Sequence, residues 1–146
     1  MGNAGDQAGA DLERFVRAQE DEQTFERAVA ELRRGRKTSH WMWFVFPQIA
    51  GLGQSPMSRR FAISSLAQAR AYLEHPVLGS RLIECARILA ERHDRSAPQI
   101  FGELDARKLQ SSMTLFARAA PDEPVFTDVL DRYFGGMPDP ATDQRL

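Results

Sequence analysis

The chain has 146 residues, 42% apolar and 27% charged, enough for one globular domain and too short for two. Its single cysteine, Cys85, excludes an internal disulfide and a Cys-rich zinc site, and its longest apolar run, the six residues from Trp41 to Phe46, is far short of the roughly 20 that span a bilayer. The net charge is −1, yet the 42 residues from Leu32 to Leu73 hold seven cations (Arg33, Arg34, Arg36, Lys37, Arg59, Arg60, Arg70) and no Asp or Glu, leaving −8 on the rest.

Residues 1–10 are Gly, Ala and polar and offer nothing to bury, so a disordered tail is expected before a single helical domain over 11–146. They lack a basic stretch leading into an apolar one, so no secretory leader is read and the expected location is cytoplasmic. Asp11 can cap a short helix whose Leu12, Phe15 and Val16 share a face. A second helix is expected from about Thr24 to Arg34, with Phe25, Val29 and Leu32 as its stripe and Gly35 as its stop.

The segment T-S-H-W-M-W-F-V-F-P-Q that follows is short, aromatic and bounded by breakers, which would suit a buried strand. No second convincing strand exists to pair its backbone. His40 to Phe46 therefore reads as a short helix, apolar all round and buried, capped by Ser39 and ended by Pro47.

Ser55 and Pro56 then write a helix start. Two Ser-x-x-Gln capping boxes, Ser65 with Gln68 and Ser96 with Gln99, open two more helices. The first carries Leu66, Ala69, Tyr72 and Leu73 and closes at His75-Pro76; the second is a single turn ending at Gly102. Between them a longer helix, about Val77 to Glu91, turns Leu78, Leu82, Cys85 and Leu89 inward. Asp105 caps a helix through Leu109, Ser112, Met113, Phe116 and Ala117. Asp122 precedes one with Val125, Val129, Leu130 and Tyr133 inward, stopped by Gly135-Gly136. The tail Pro138-Asp139-Pro140 starts at most one turn. The predicted class is all-α.

Common catalytic signatures are missing: no H-E-x-x-H, C-x-x-C, G-x-S-x-G or Walker loop occurs. The three histidines, His40, His75 and His93, are scattered, so no metal site and no cofactor are expected. Cys85 lies on an apolar stripe and reads as a packing thiol. The most suggestive group is His40, Trp41, Trp43 and Gln48, polar residues bracketing aromatic faces beside a basic stretch. Such a set suits a planar base or a sugar phosphate, and equally a core helix with a wet rim. Gly51-Leu52-Gly53 before a capped helix offers backbone N–H groups to an anion, with Arg59 and Arg60 close behind. No strand precedes it, so a dinucleotide-binding βαβ unit is excluded. Lys108, Ser111, Ser112 and Thr114 add polar atoms to an otherwise packing helix, whose hydroxyls can equally bond back to their own turn.

Four segments, S-H-W-M-W-F-V-F-P-Q, G-L-G-x-S-P, A-x-A-Y-L-x-H-P-V-L-G and K-L-x-S-S-M-T-L-F, together resemble the family numbered domain of unknown function 1810, small and mainly bacterial, over about residues 11–146. The resemblance implies a wholly helical single domain with two buried central helices, matched here by the aromatic segment and the S-S-M-T-L-F helix. It implies no established activity and assigns no catalytic residues.

Three functional readings stand. In the first, a phosphate-bearing small molecule (a nucleotide or ADP-ribose-like compound) places its phosphate near Gly53, Ser55 and Arg59 or Arg60. Its base or sugar meets Trp41, Trp43 and Gln48, Lys108 and Ser112 contribute polar atoms, and His40 or Asp105 moves a proton, as in glycosidic-bond hydrolysis. In the second, the domain is a protein-interaction or structural module whose arginines meet an acidic partner or another copy. The third, a nucleic-acid track along the basic interval, is disfavoured by the acidic remainder, since such modules are usually basic overall. Nothing in the sequence sets the oligomeric state.

Overall fold

A computed structural model describes residues 11–146; the expected N-terminal tail lies outside the described residues. Helix α1 (Glu13–Glu20) buries Phe15, with Leu12 at its start. Asp11 does not cap it. The N-cap position falls on Leu12, already helical at φ −76°, while the Asp11 carboxylate pairs with Arg14 at 3.4 Å.

One 3₁₀ turn, Asp21–Gln23, joins α1 to α2 (Thr24–Arg34). Two successive non-glycine residues in it take left-handed backbone, Glu22 at φ 52° and Gln23 at φ 58°. Each sits where a Cβ crowds the following carbonyl, at about 1–2 kcal/mol per residue. The Thr24 hydroxyl donates to the Asp21 carbonyl at 2.6 Å and Arg27 to the Glu22 carbonyl at 3.1 Å, which holds the reversal closed. Gln23→Gly is expected to raise stability by about 0.5–1 kcal/mol, the relieved strain exceeding the added freedom of the unfolded chain. Urea unfolding checks this, and a lower midpoint would mean that the Gln23 side chain contributes more than its backbone costs.

Helix α2 ends at Gly35, φ 77°, as its sequence predicts. The Arg92 side chain lies against that glycine, where a Cβ would collide with it, and donates to the Arg33 carbonyl at 2.9 Å. The aromatic helix α3 (Met42–Val45) is shorter than the predicted His40–Phe46. Its N-cap is Trp41, not Ser39, because the Ser39 hydroxyl and N–H both donate to the Glu31 carboxylate and fasten that residue to α2, two positions ahead of the helix start. Trp41, Met42, Phe44, Val45 and Phe46 are buried all the same.

After a loop tied by an isolated parallel bridge between Ile49 and Ile63, α4 (Pro56–Arg60) starts on its Ser55 cap, whose oxygen accepts from the Ser58 N–H at 3.1 Å. Ser65 caps α5 (Leu66–Glu74) in the same way. The reciprocal bond is displaced by one residue, the Gln68 amide oxygen accepting from the Ser64 N–H at 2.7 Å rather than from Ser65. Helix α6 (Leu78–Ala90) carries Leu78, Leu82, Cys85 and Leu89 inward, and burial pushes the Cys85 thiol up, as suits a packing residue. The full capping box of Ser96 and Gln99 opens α7 (Ala97–Phe101).

Helix α8 (Glu103–Ala119) begins before the expected Asp105 cap: Gly102 holds the N-cap and Asp105 lies in the first turn. Helix α9 (Pro124–Phe134) follows Asp122 as expected, and its cap is Glu123, accepting from the Val125 N–H at 3.2 Å. Asp139 caps the last turn, α10 (Pro140–Asp143), which Arg118 clamps to α8 through two bonds of 2.9 Å to Asp143.

The architecture is all-α, with no strand among the described residues. At its centre, α8 buries an unbroken run from Ser111 to Ala117 and is packed by α5, α7, α9 and α10. Helix α6 bridges α2, α5 and α9, and α1 joins α2 to α3. One line of ring contacts threads the core: Phe44 to Phe61 at 5.2 Å, Phe61 to Phe15 at 5.7 Å, Phe15 to Tyr72 at 5.3 Å, Tyr72 to Phe116 at 5.4 Å and Phe116 to Phe126 at 5.8 Å. Edge and tilted geometries of this kind are favourable beyond the area they bury. The aromatic segment is thereby locked onto α8 through Phe61, Phe15 and Tyr72. No helix among the described residues is long and apolar enough to cross a membrane.

Candidate functional site

A Glu at position 31 falls on the same helical face as Ala28 and Leu32, and all three are buried. The Glu31 carboxylate, on a residue 2% exposed, accepts from the Thr38 N–H at 2.7 Å, the Ser39 N–H at 3.0 Å, the Trp41 indole N–H at 2.9 Å and the Ser39 hydroxyl. Burial alone would raise its pKa, but these donors together bring it down to about 2. The result is a clasp that fastens the end of α2 to the strip leading into α3.

Beside the clasp lies a second polar group. Asp105 receives Lys37 Nζ at 2.9 Å on one oxygen and Lys108 Nζ at 3.1 Å on the other. Lys37, with a side chain 8% exposed, also donates to the Ser39 carbonyl at 2.6 Å. Burial pushes the Asp105 carboxyl up, and the two lysines hold it below its usual range by hydrogen bonds and charge. Each ammonium faces an indole: Lys37 Nζ lies 5.1 Å from the Trp41 ring centre and Lys108 Nζ 5.0 Å from that of Trp43. Two cations over two electron-rich rings are favourable at such distances. The triad carries a net positive charge between the tryptophans.

Trp43 has a further face. With His40, Ser39 and Phe44 it borders a groove of about 900 Å³ that runs between α1, the α1–α2 turn and α4. The strained Glu22 is on its rim, as are Glu20 and Asp21. Arg14, Arg17, Arg27 and Arg60 supply cations. Arg14 is tied down, its guanidinium donating to the Arg60 and Ala62 carbonyls at 2.8 Å each. The Arg17 and Arg60 guanidiniums make no hydrogen bond or ion pair among the described residues; that of Arg60 lies over the Phe61 ring at 5.2 Å.

The structure thus brings Trp41, Trp43, Asp105 and Lys108 around one polar cluster, and His40, Trp43 and Arg60 around one groove. Trp41 is 0% exposed and belongs to the core. Gln48 lies beside the Ile49–Ile63 bridge, its carbonyl accepting from the Ile63 N–H at 2.8 Å. Gly53 packs against Ser58, and the Ser55 hydroxyl is occupied with the Ser58 N–H and hydroxyl. Arg59 borders a different hollow, together with Arg60. Ser112 is wholly buried, its hydroxyl without a partner among the described residues.

The acid-free interval does not make one basic surface, because it spans four helices that face different ways. Arg33 borders a hollow with Glu91 and Arg92, Arg70 bonds the Ala119 carbonyl at 3.4 Å, and Lys37 is inside the triad. No group of three or more His, Cys, Asp or Glu able to hold a metal occurs among the described residues. The sequence reading missed Glu31, and it placed Lys37 in the basic interval without its pairing to Asp105. A carboxylate on the stripe of α2, next to Leu32, was the available signal for the first.

This fold and cluster define an all-helical single-domain protein whose two tryptophans flank a half-buried ion triad. The chain belongs to the family described as "Protein of unknown function (DUF1810)", whose model matches residues 9–146. It is similar to the conserved hypothetical protein Rv1873 from Mycobacterium tuberculosis, known from a crystal structure at 1.38 Å, with 51% identity, a TM-score of 0.90, and coverage of 93% of this chain and 96% of that one. No curated protein matches the sequence.

Proposed function

We propose that the groove binds a phosphate-bearing small molecule, a nucleotide or an ADP-ribose-like compound. The observation that carries this reading is the meeting of Trp43 and the Arg60 and Arg17 guanidiniums, unpaired among the described residues, on one groove of about 900 Å³, a size within the range of small-molecule sites. The indole face suits a planar base, and an unpaired guanidinium suits a phosphate, which it can grip through two parallel N–H bonds. Carboxylates at the Glu20–Glu22 end suit the hydroxyls of a sugar. Any proton transfer, as in cleavage of a glycosidic bond, falls to His40, because Asp105 has both oxygens committed to lysines and is not on the groove wall.

Thermal unfolding tests the proposal. Adenosine monophosphate at 100 times its Kd is expected to add about 2.7 kcal/mol, a rise of about 8 °C in Tm for a domain of this length. Trp43→Ala and Arg60→Glu are each expected to remove the rise. Absence of any shift with adenosine monophosphate, ADP-ribose and inorganic phosphate alike would reject it.

A further inference from the structure

Next to the groove is a second hollow of about 540 Å³, bordered by Arg14, Arg59, Arg60, Ser64 and Asp11. Arg14 and Arg60 border both. The two hollows therefore meet at one wall, and that wall is cationic.

Its two arginines do different work. The Arg14 guanidinium is fixed by the Arg60 and Ala62 carbonyls and by Asp11, so it is a rigid part of the wall. Arg60 is exposed, and its guanidinium, over the Phe61 ring, makes no hydrogen bond or ion pair among the described residues, so its N–H groups are open to a ligand. Beyond the ridge, the Arg59 side chain bonds the Gln54 amide oxygen at 3.2 Å, and among the described residues bordering this hollow the one carboxylate, Asp11, is already paired with Arg14.

Charge is also graded along the groove. The carboxylates Glu20, Asp21 and Glu22 border the groove and not the second hollow. The anionic part of any ligand is thereby directed away from them and toward the ridge. A guanidinium with phosphate-sized space on both sides is matched by two linked phosphates better than by one.

We infer that the two hollows form one bipartite site for a pyrophosphate-linked ligand: its base on Trp43, its two phosphates straddling Arg60, and its distal group in the hollow beside Arg59 and Ser64. This rests on the reading of the groove as a nucleotide site and specifies the ligand class. A mononucleotide fills only the groove, and a molecule extended beyond the pyrophosphate fills both spaces.

Isothermal titration of the full chain with adenosine monophosphate and with ADP-ribose, at fixed ionic strength, tests it. ADP-ribose is expected to bind at least tenfold more tightly than the monophosphate, and in Arg59→Ala the ratio is expected to fall to within twofold of unity. Arg59 is exposed and makes one side-chain bond among the described residues, so the variant keeps its fold, which circular dichroism verifies. Monophosphate binding with no gain for ADP-ribose would overturn the bipartite site and leave the groove reading standing, as would a tenfold ratio that survives in Arg59→Ala. Binding of neither compound would overturn both.

Discussion

Glu31→Ala is expected to lower the unfolding free energy by about 3–5 kcal/mol, the range seen when one partner of a buried charged network is removed. The Tm would fall by about 10–15 °C. The cost arises from what remains: the Thr38 N–H, the Ser39 N–H and the Trp41 indole N–H all point at the Glu31 carboxylate and would lose their acceptor together. Glu31→Gln keeps one carbonyl oxygen and is expected to lose about half as much. The charge also writes a pH dependence. In the fold the carboxyl is depressed from an ordinary 4.5 to about 2, so its contribution is fully present above about pH 4.5 and disappears as the pH falls toward 2. The span corresponds to about 3 kcal/mol. Other depressed carboxyls, Asp105 and Asp143, share the acid limb. The diagnostic quantity is therefore the difference between the wild-type chain and Glu31→Gln, which should shrink on acidification from pH 5 to pH 2. A difference constant with pH would show that Glu31 is not held ionised.

Gly79→Ala is expected to destabilise the protein by about 2–3 kcal/mol. On helix propensity alone the change should help, by at most about 1 kcal/mol. Packing reverses the sign. A Cβ on Gly79 would stand 2.8 Å from the carbonyl carbon of Leu73 and closer still to its oxygen. These are backbone atoms at the end of α5, which cannot swing aside as a flexible side chain does. Relief requires α6 to lift off α5. Overpacking with backbone shifts typically costs about 1–3 kcal/mol and occasionally more, and a clash with backbone falls at or above the top of that range before the propensity gain is subtracted. Urea unfolding would read the loss as a lower midpoint at unchanged slope. A midpoint at or above the wild-type value would mean that the α5–α6 crossing adjusts freely.

What could be read from the sequence was what is decided within one turn of chain. Ser55, Ser65 and Ser96 act as caps because a short hydroxyl finds the N–H three residues on without help from elsewhere. Gly35 and Gly135 end their helices because they alone enter left-handed backbone there at little cost. The misassigned caps failed for a common reason: a remote or stronger partner claimed the side chain. Ser39 went to Glu31, Asp105 to Lys37 and Lys108, and Asp11 to Arg14. The candidate site divided along the same line. That Trp43, His40 and Arg60 share a groove depends on α4 folding back beside α1, which is not visible in local pattern. That Trp41 is wholly enclosed depends on Glu31 meeting its indole N–H.

The contrasting surroundings of the two tryptophans give the protein a built-in optical readout. Trp41, the only other indole besides Trp43, is sealed from solvent, so its ring is shielded from contact with a quencher in solution. Trp43 faces that groove and stands next to the Lys108 ammonium. Contact quenching by a small solute in the folded state therefore reports on the Trp43 ring, and no label need be attached to watch it.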